Sequence, residues 1–197
     1  MRSFNFFLKR VADLVGSCAV LLITSPILLI TAILIKITMP GPIFFRQQRA
    51  GMNGVLFEIL KFRSMKVDKQ AEKKHDTTKD ADRLTGFGKL IRRFKIDELP
   101  QLFNVLFGDM SLVGPRPTFK EQVDAYTDRQ KHRLDMRPGM TGLAQVNGNI
   151  TLTWDERIEY DLYYVDHFSF WLDIKIMIKT ILVVIFGEAM FKNPKKG

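Results

Sequence analysis

The sequence predicts a mostly helical α+β fold whose N-terminal helix sits in a membrane, and three observations carry that expectation. Positions 14–35 are an almost uninterrupted apolar run, two short extended segments flank a glycine-bounded turn at 51–54, and Leu99, Leu102, Phe103 and Leu106 recur at helical spacing. At 197 residues the chain has room for one domain with a modest core plus appendages. Lysine and arginine number 30 against 21 acids, a net charge of +9. That balance favours a polyanionic partner such as phosphates, nucleic acid or an anionic membrane surface, and does not choose among them. Cys18 is the single cysteine and lies in the apolar run, which excludes a disulfide framework and a cysteine metal site.

Leu14 to Ile35 has about the twenty residues that a helix needs to cross a bilayer. Arg2, Lys9 and Arg10 precede it like the basic leader of a signal peptide, but the run exceeds the usual 7–15 residues of such a core and no small-x-small cleavage site follows. A retained membrane segment is therefore expected. Ser25-Pro26 falls near its middle, where proline removes an amide donor and crowds the preceding turn, so a kink is expected there. Basic residues flank both ends, with Lys36, Arg46, Arg49, Lys61 and Arg63 on the far side. The positive-inside tendency would hold both flanks in the cytoplasm, as in a helix that bends at Ser25-Pro26 and returns to the same face. A kinked spanning anchor is the alternative, and the residues alone leave both open.

Met39-Pro40-Gly41-Pro42 marks the exit from this segment. Ile43–Phe45 and Val55–Phe62 read as short strands of a hairpin turned at Gly51–Gly54. Val67–Arg83 is dominated by charge and reads as a solvated loop, with His75 lacking any partner at metal-ligand spacing. Leu84–Phe94 reads as a helix. Its Gly86 and Gly88 do not complete a dinucleotide fingerprint, because Ile91 stands where a third glycine belongs. Asp97-Glu98-Leu99-Pro100 looks like a helix start with Asp97 as N-cap, and Gly108 is the expected stop. A polar helical stretch is expected from Phe119 to Met136, followed by a rigid turn at Arg137–Gly142. Phe168–Phe186 is apolar again but carries Asp173, Lys175 and Lys179, which suits a helix lying in the interface better than a second span.

The pair that carries chemistry is Asp97-Glu98. Adjacent carboxylates project about 100° apart on a helix, so both can border one pocket with different tasks. One can attack phosphorus while its neighbour holds Mg²⁺ on a diphosphate. A helix start also presents free amides and a favourable dipole to phosphate. The plainer reading is a helix cap and nothing more. Arg116, held between Pro115 and Pro117, has a backbone ordered in advance for a bidentate grip on phosphate, and Arg92 and Lys61 are candidates of the same kind. Against them stands the reading of a solvated or snorkelling basic face. Arg137 sits in its Pro-Gly turn similarly, while Gln145 and Asn147 offer amides that could read a base or sugar, or serve as buried structural amides. His132 and His167 have no triad or metal partners in the sequence.

Five ordered motifs carry a resemblance that spans nearly the whole chain. They are Lys61-Phe62-Arg63-Ser64-Met65, the run Ile96-Asp97-Glu98-Leu99-Pro100 through Leu106, Gly108 through Gly114-Pro115-Arg116-Pro117, Arg137-Pro138-Gly139-Met140-Thr141-Gly142, and Ala144-Gln145-Val146-Asn147-Gly148. In these the chain resembles the bacterial sugar transferase family, specifically the small monotopic polyprenyl phosphate phosphoglycosyl transferases.

The resemblance implies a re-entrant membrane hairpin over 1–38 broken at Ser25-Pro26, and a catalytic domain over 39–197 on the cytoplasmic face of the bacterial inner membrane, ending in an interfacial helix. It implies Asp97 as nucleophile and Glu98 as Mg²⁺ ligand, with Lys61, Arg92 and Arg116 in the active-site region. Asp173 matches a further acid of less clear role, and Arg137, Gln145 and Asn147 would lie near the nucleotide. The implied substrates are a UDP-sugar and polyprenyl phosphate, with membrane lipid around the chain and no nucleic acid. The implied reaction is ping-pong: Asp97 takes the phosphosugar and releases UMP, then polyprenyl phosphate takes the phosphosugar. An ordinary aspartate pKa near 4 would keep Asp97 ionised in the free enzyme. Two readings compete. One is a non-catalytic, membrane-anchored basic interaction protein. The other is a membrane phosphotransferase in which the lipid attacks directly.

Overall fold

The computed structural model describes residues 2–67 and 80–187. Residues 68–79 of the expected charged loop, His75 among them, lie outside the described residues. Helix α1 runs from Arg2 to Thr38 and continues through Pro26 without interruption. Pro26 cannot donate to the carbonyl of Leu22, and Ser25 Oγ takes that place at 2.8 Å, so the helix survives its proline. Among the described residues α1 is the one helix long and apolar enough to cross a membrane by length and composition.

Only the two ends of α1 are packed. Lys9, Asp13 and Ser17 are buried at helical spacing near its start, and Thr31, Ile35 and Met39 near its end, while 18–27 is exposed or half-buried. The early stripe meets the partners of Lys9, namely the Val113 carbonyl at 2.7 Å and Asp173 at 2.8 Å. The late stripe packs with Phe62 and Ile91.

Strands β1 (Phe44–Ala50) and β2 (Leu56–Phe62) form the expected antiparallel hairpin, with β1 extending further than its sequence pattern announced. A one-turn helix at Met52–Gly54 reverses the chain, with Asn53 and Gly54 at positive φ. The register pairs Phe45 with Lys61, Gln47 with Ile59 and Arg49 with Phe57, so these six residues share one face. Ile59 fixes that face inward by packing with Val105 and Met110.

Helix α2 (Gly86–Arg93) starts on the hydroxyl of Thr85, which accepts from the Gly88 amide. It lies directly on the chain leaving β2: a Cβ on Gly88 would sit 1.8 Å from the Ser64 carbonyl oxygen. Helix α3 (Gln101–Phe107) ends at Gly108 with φ +94°, as its glycine predicts. The buried amide of Asn104 clips α3 to the edge of β2, accepting from the Leu60 amide at 3.0 Å and donating to the Glu58 carbonyl at 2.8 Å.

The expected rigid turn at Arg137–Gly142 contains a strand instead. β3 (Ser111–Val113) and β4 (Gly139–Thr141) pair in parallel. The two glycine-proline motifs meet backbone to backbone, and a Cβ on Gly139 would fall 2.1 Å from the Gly114 nitrogen. Without side chains at that crossing the motifs close into one unit, which a local turn signal could not announce.

The expected single helix over Phe119–Met136 is broken into Lys120–Asp124, Asp128–Lys131 and a tight turn at His132–Asp135. Thr127 and Gln130 form a capping box that restarts the chain in the middle of the stretch. Helix α4 (Trp154–Asp166) went unread in the sequence although Thr153 and Glu156 make the same motif. Helix α5 (Phe170–Phe186) buries Asp173 and Ile176 and exposes Trp171, Ile178, Ile181 and Ile185, an outward apolar face consistent with an interfacial helix. The largest core gathers Val113, Met136, Val146, Tyr164, Val165, Phe168 and Ile176 around β3, α4 and α5.

Candidate active site

Asp97 and Glu98 lie in a single tight turn, Ile96–Glu98, between α2 and α3. Lys95 precedes it at φ 56°, a left-handed conformation that swings the chain out of α2 and into this turn. Asp97 is not the N-cap of the following helix. That position belongs to Pro100, and no side chain caps it, so the cap reading fails on geometry. Because the turn ends before the helix begins, both carboxylates are spared for other work.

Glu98 gathers the cations. Lys61 Nζ reaches its Oε1 at 2.7 Å and Arg116 Nη2 reaches the same oxygen at 3.1 Å. Glu98 Oε2 receives no hydrogen bond from a described residue. Burial pushes the Glu98 carboxyl upward, but Arg116 and Lys61 together outweigh it and hold the group down to about 2. For Lys61, burial wins over the attraction of Glu98 and lowers its pKa from the usual lysine range. Three elements fix this cluster: β2 brings Lys61, the tight turn brings Glu98, and the Pro-bounded loop after β3 brings Arg116.

Asp97 is different. It is 8% exposed, yet among the described residues no group hydrogen-bonds its carboxylate. Burial raises its pKa above the ordinary aspartate value, the negative Glu98 next door adds to that, and Lys61, Arg92 and Lys95 pull the other way without cancelling it. The ordinary pKa expected from sequence is thereby corrected. Arg92 is held by its Nε to Ser64 Oγ at 2.8 Å, and its charge lowers the Asp97 pKa.

Residues that the sequence reading did not single out hold Arg116 from behind. Arg133, 4% exposed, donates to the Arg116 carbonyl at 3.0 Å and to the buried carboxylate of Asp161 and the hydroxyl of Tyr126. Burial lifts Asp161 to about 6 against the pull of Arg133. Arg133 sits in a polar stretch where a charge looks solvated, so no local signal marked it.

The remaining candidates have partners of their own. Arg137 donates Nε to the Gly108 carbonyl at 2.8 Å, tying the β4 loop to the end of α3. Gln145 donates to the Met140 carbonyl at 3.0 Å, while its Oε1 is buried without a partner among the described residues. Asn147 donates to the Leu143 carbonyl at 2.7 Å and accepts from Lys179 at 3.2 Å. Asp173 is bound to Lys9 of α1 and to the Tyr164 hydroxyl at 2.6 Å. His132 lies on the surface between Asp135 and Asp166, which raise its pKa with the Asp166 hydrogen bond foremost, and His167 stacks on Tyr163.

Residues 4–187 match the family model described as bacterial sugar transferase. A Bacillus subtilis protein named as an uncharacterized sugar transferase, EpsL, is 43% identical over 93% of this chain and 90% of its own. A Klebsiella pneumoniae UDP-glucose:undecaprenyl-phosphate glucose-1-phosphate transferase is 43% identical over 92% of this chain and 41% of its own length. An Aeromonas hydrophila UDP-N-acetylgalactosamine-undecaprenyl-phosphate N-acetylgalactosaminephosphotransferase is 44% identical over 92% of this chain and 44% of its own. The chain thus spans nearly all of the first relative and about two-fifths of the other two. The match covers every element that builds the Asp97-Glu98 turn and its cations, and the chain belongs to the bacterial sugar transferase family.

Proposed function

We propose that this chain transfers a sugar-1-phosphate from a UDP-sugar to undecaprenyl phosphate, releasing UMP and giving undecaprenyl diphosphate sugar, with Asp97 as covalent nucleophile. The observation that carries the reading is a buried carboxylate that receives no hydrogen bond from a described residue and lies beside a cluster of cations. A carboxylate whose oxygens are saturated is a poor nucleophile, and one among cations faces phosphate rather than repelling it. The names of the relatives favour the same reaction class.

In the first half-reaction an Asp97 oxygen forms a bond to the sugar-bearing phosphorus of the donor. The bond from that phosphorus to the bridging oxygen breaks, and UMP leaves with the electron pair. In the second, a phosphate oxygen of the lipid attacks the same phosphorus and the acyl-phosphate bond breaks back to Asp97. Lys61, Arg92 and Arg116 hold the phosphate oxygens and lower the cost of their charge.

Glu98 suits a Mg²⁺ ion. Its carboxyl is ionised across the working pH range, both neighbouring cations use Oε1, and Oε2 accepts no hydrogen bond from a described residue. Mg²⁺ commonly takes one or two carboxylates and completes its shell with water and substrate phosphate. Bound there it would supply charge neutralisation on the diphosphate.

The membrane arrangement in this reading is a re-entrant segment over 1–38 under a catalytic body over 39–197 on the cytoplasmic face of the inner membrane. Both ends of α1 pack on that one body while 18–27 stands clear, which favours entry and exit on the same side. The lipid phosphate lies at headgroup level, where such a body can meet it and a soluble nucleotide together.

The deciding experiment is UMP release by purified protein in detergent with undecaprenyl phosphate, Mg²⁺ and UDP-glucose, UDP-galactose or UDP-N-acetylgalactosamine in turn. Release that EDTA and Asp97→Ala both abolish, with phosphosugar trapped on the wild-type chain when the lipid is withheld, is the expected result. Folded protein that turns over none of these donors would return the non-catalytic interaction reading. Turnover without a trapped intermediate would return direct attack by the lipid.

A further inference from the structure

The cations at the site extend past the three already placed. On the inward face of the hairpin Lys61 and Arg49 stand four strand positions apart in register, Lys61 opposite Phe45 and Arg49 opposite Phe57. Four positions span roughly 13 Å. Arg116 belongs to both ends of this row: it bonds Glu98 beside Lys61, and its charge acts on Arg49.

The Arg49 guanidinium lies 3.5 Å from the centre of the Phe119 ring, three residues past Arg116, and the strand is tied to the same loop by the Ala50 amide donating to the Thr118 carbonyl at 2.9 Å. The stacking fixes the plane of the fork without using its donors. Its hydrogen bond among the described residues is from Nη2 to the neutral Gln47 Oε1 at 2.6 Å; Nε is buried without a partner and Nη1 bonds no described residue. Among the described residues no acid pairs with it at contact distance, and Glu121 acts only across space. Arg116 has Glu98 at 3.1 Å to offset its charge, whereas half-buried Arg49 faces the like charge of Arg116 without a described acid in contact, and an anion held between the two arginines relieves that repulsion.

We propose that Arg49 is a phosphate-binding residue of this site, forming with Arg116 a paired-arginine position for a phosphate group of one of the two substrates. This rests on the reaction proposed above. The two candidate groups are the nucleotide phosphate that leaves as UMP and the phosphate of the incoming lipid, which share their chemistry and are bonded to or approach the same phosphorus in turn. Burial and the neighbouring Arg116 also lower the Arg49 pKa to about 10, which leaves it charged at neutral pH.

The test uses the full chain in detergent, wild type beside Arg49→Gln and Arg49→Lys. UMP binding and binding of a short-chain, water-soluble polyprenyl phosphate are each measured by calorimetry, with thermal unfolding recorded for every variant. In ping-pong turnover, kcat/KM for each substrate is read separately. Arg49→Gln is expected to weaken one phosphate ligand by about 10–100-fold, as for a charge-assisted hydrogen bond, with Arg49→Lys in between. Loss confined to UMP assigns the nucleotide phosphate, and loss confined to the lipid analogue assigns the acceptor. Both affinities within twofold of wild type overturn the proposal. If Arg49→Gln does not fold, Arg49→Lys decides: weakened binding in a folded protein supports the proposal, and lower thermal stability with unchanged affinities overturns it. Because binding is read without turnover, failure of the wild type to release UMP would count against the proposed reaction and leave the Arg49 measurement standing.

Discussion

Two buried clusters of charge in this protein differ in how completely they are satisfied. Where α1 meets α5, Lys9 donates to Asp173, to the Val113 carbonyl and to Tyr164, and Tyr164 in turn donates to Asp173. Asp13 close by accepts from the Ser111 hydroxyl and the Leu112 amide. In the Asp97-Glu98 turn, by contrast, two cations share one oxygen of Glu98, and among the described residues nothing hydrogen-bonds its other oxygen or the buried carboxylate of Asp97. Saturated groups lock elements together. Groups left open hold free energy in reserve for a ligand, which is the trade between stability and function expected of an active site.

The sharpest break in this contrast comes from Asp97→Asn. On the proposed reaction, loss of the Asp97 carboxylate should cost on the order of 10⁴-fold or more in UMP release. The same change should raise the unfolding temperature. A carboxyl whose folded pKa is raised favours the fold while protonated, and that contribution is lost as pH rises through the folded pKa, so at neutral pH the ionised Asp97 is a burden that asparagine removes. Each kcal/mol recovered is worth roughly 2–4 °C in a chain of this size. A thermal-shift measurement showing a fall instead would make Asp97 a structural residue.

The saturated cluster should behave oppositely. Asp173→Asn leaves Lys9 buried with its charge uncompensated, a change that costs about 3–5 kcal/mol, and activity should fall only with the folded fraction. A folded Asp173→Asn protein with normal stability and depressed kcat would place Asp173 in the chemistry.

Within the site, Arg92→Gln tests the charges acting on Asp97. Arg92 lowers the Asp97 pKa, so removing it raises that pKa further and the acid limb of kcat/KM should move to higher pH. A limb that moves down, or stays, would mean that Asp97 is not the group being titrated. Smallest of all, Arg129→Ala removes a doubly bonded but exposed pair with Glu159 and should leave the midpoint of a denaturant titration almost unchanged.

Much of this architecture was legible in the residues. The apolar run, the hairpin around Gly51–Gly54, the start of α2 and the glycine that ends α3 all follow from local signals of hydropathy, turn chemistry and backbone freedom. The parallel pairing of β3 with β4 was not, because it joins residues 28 positions apart, Ser111 with Gly139 and Val113 with Thr141. Arg133, Asp161 and Arg49 escaped for a related reason. A charge looks the same in sequence whether water or a buried partner meets it.

The order of residues by itself determined which segment is long and apolar enough to cross a membrane, which family the chain resembles, and that Asp97 and Glu98 stand side by side. Only the tertiary structure decided that Asp97 is no helix cap, that Glu98 spends one oxygen on two cations, and that Asp173 answers to Lys9. Covalent adjacency and periodicity are properties of a few neighbouring residues. Burial, field and unsatisfied hydrogen-bonding capacity depend on groups that folding alone brings together.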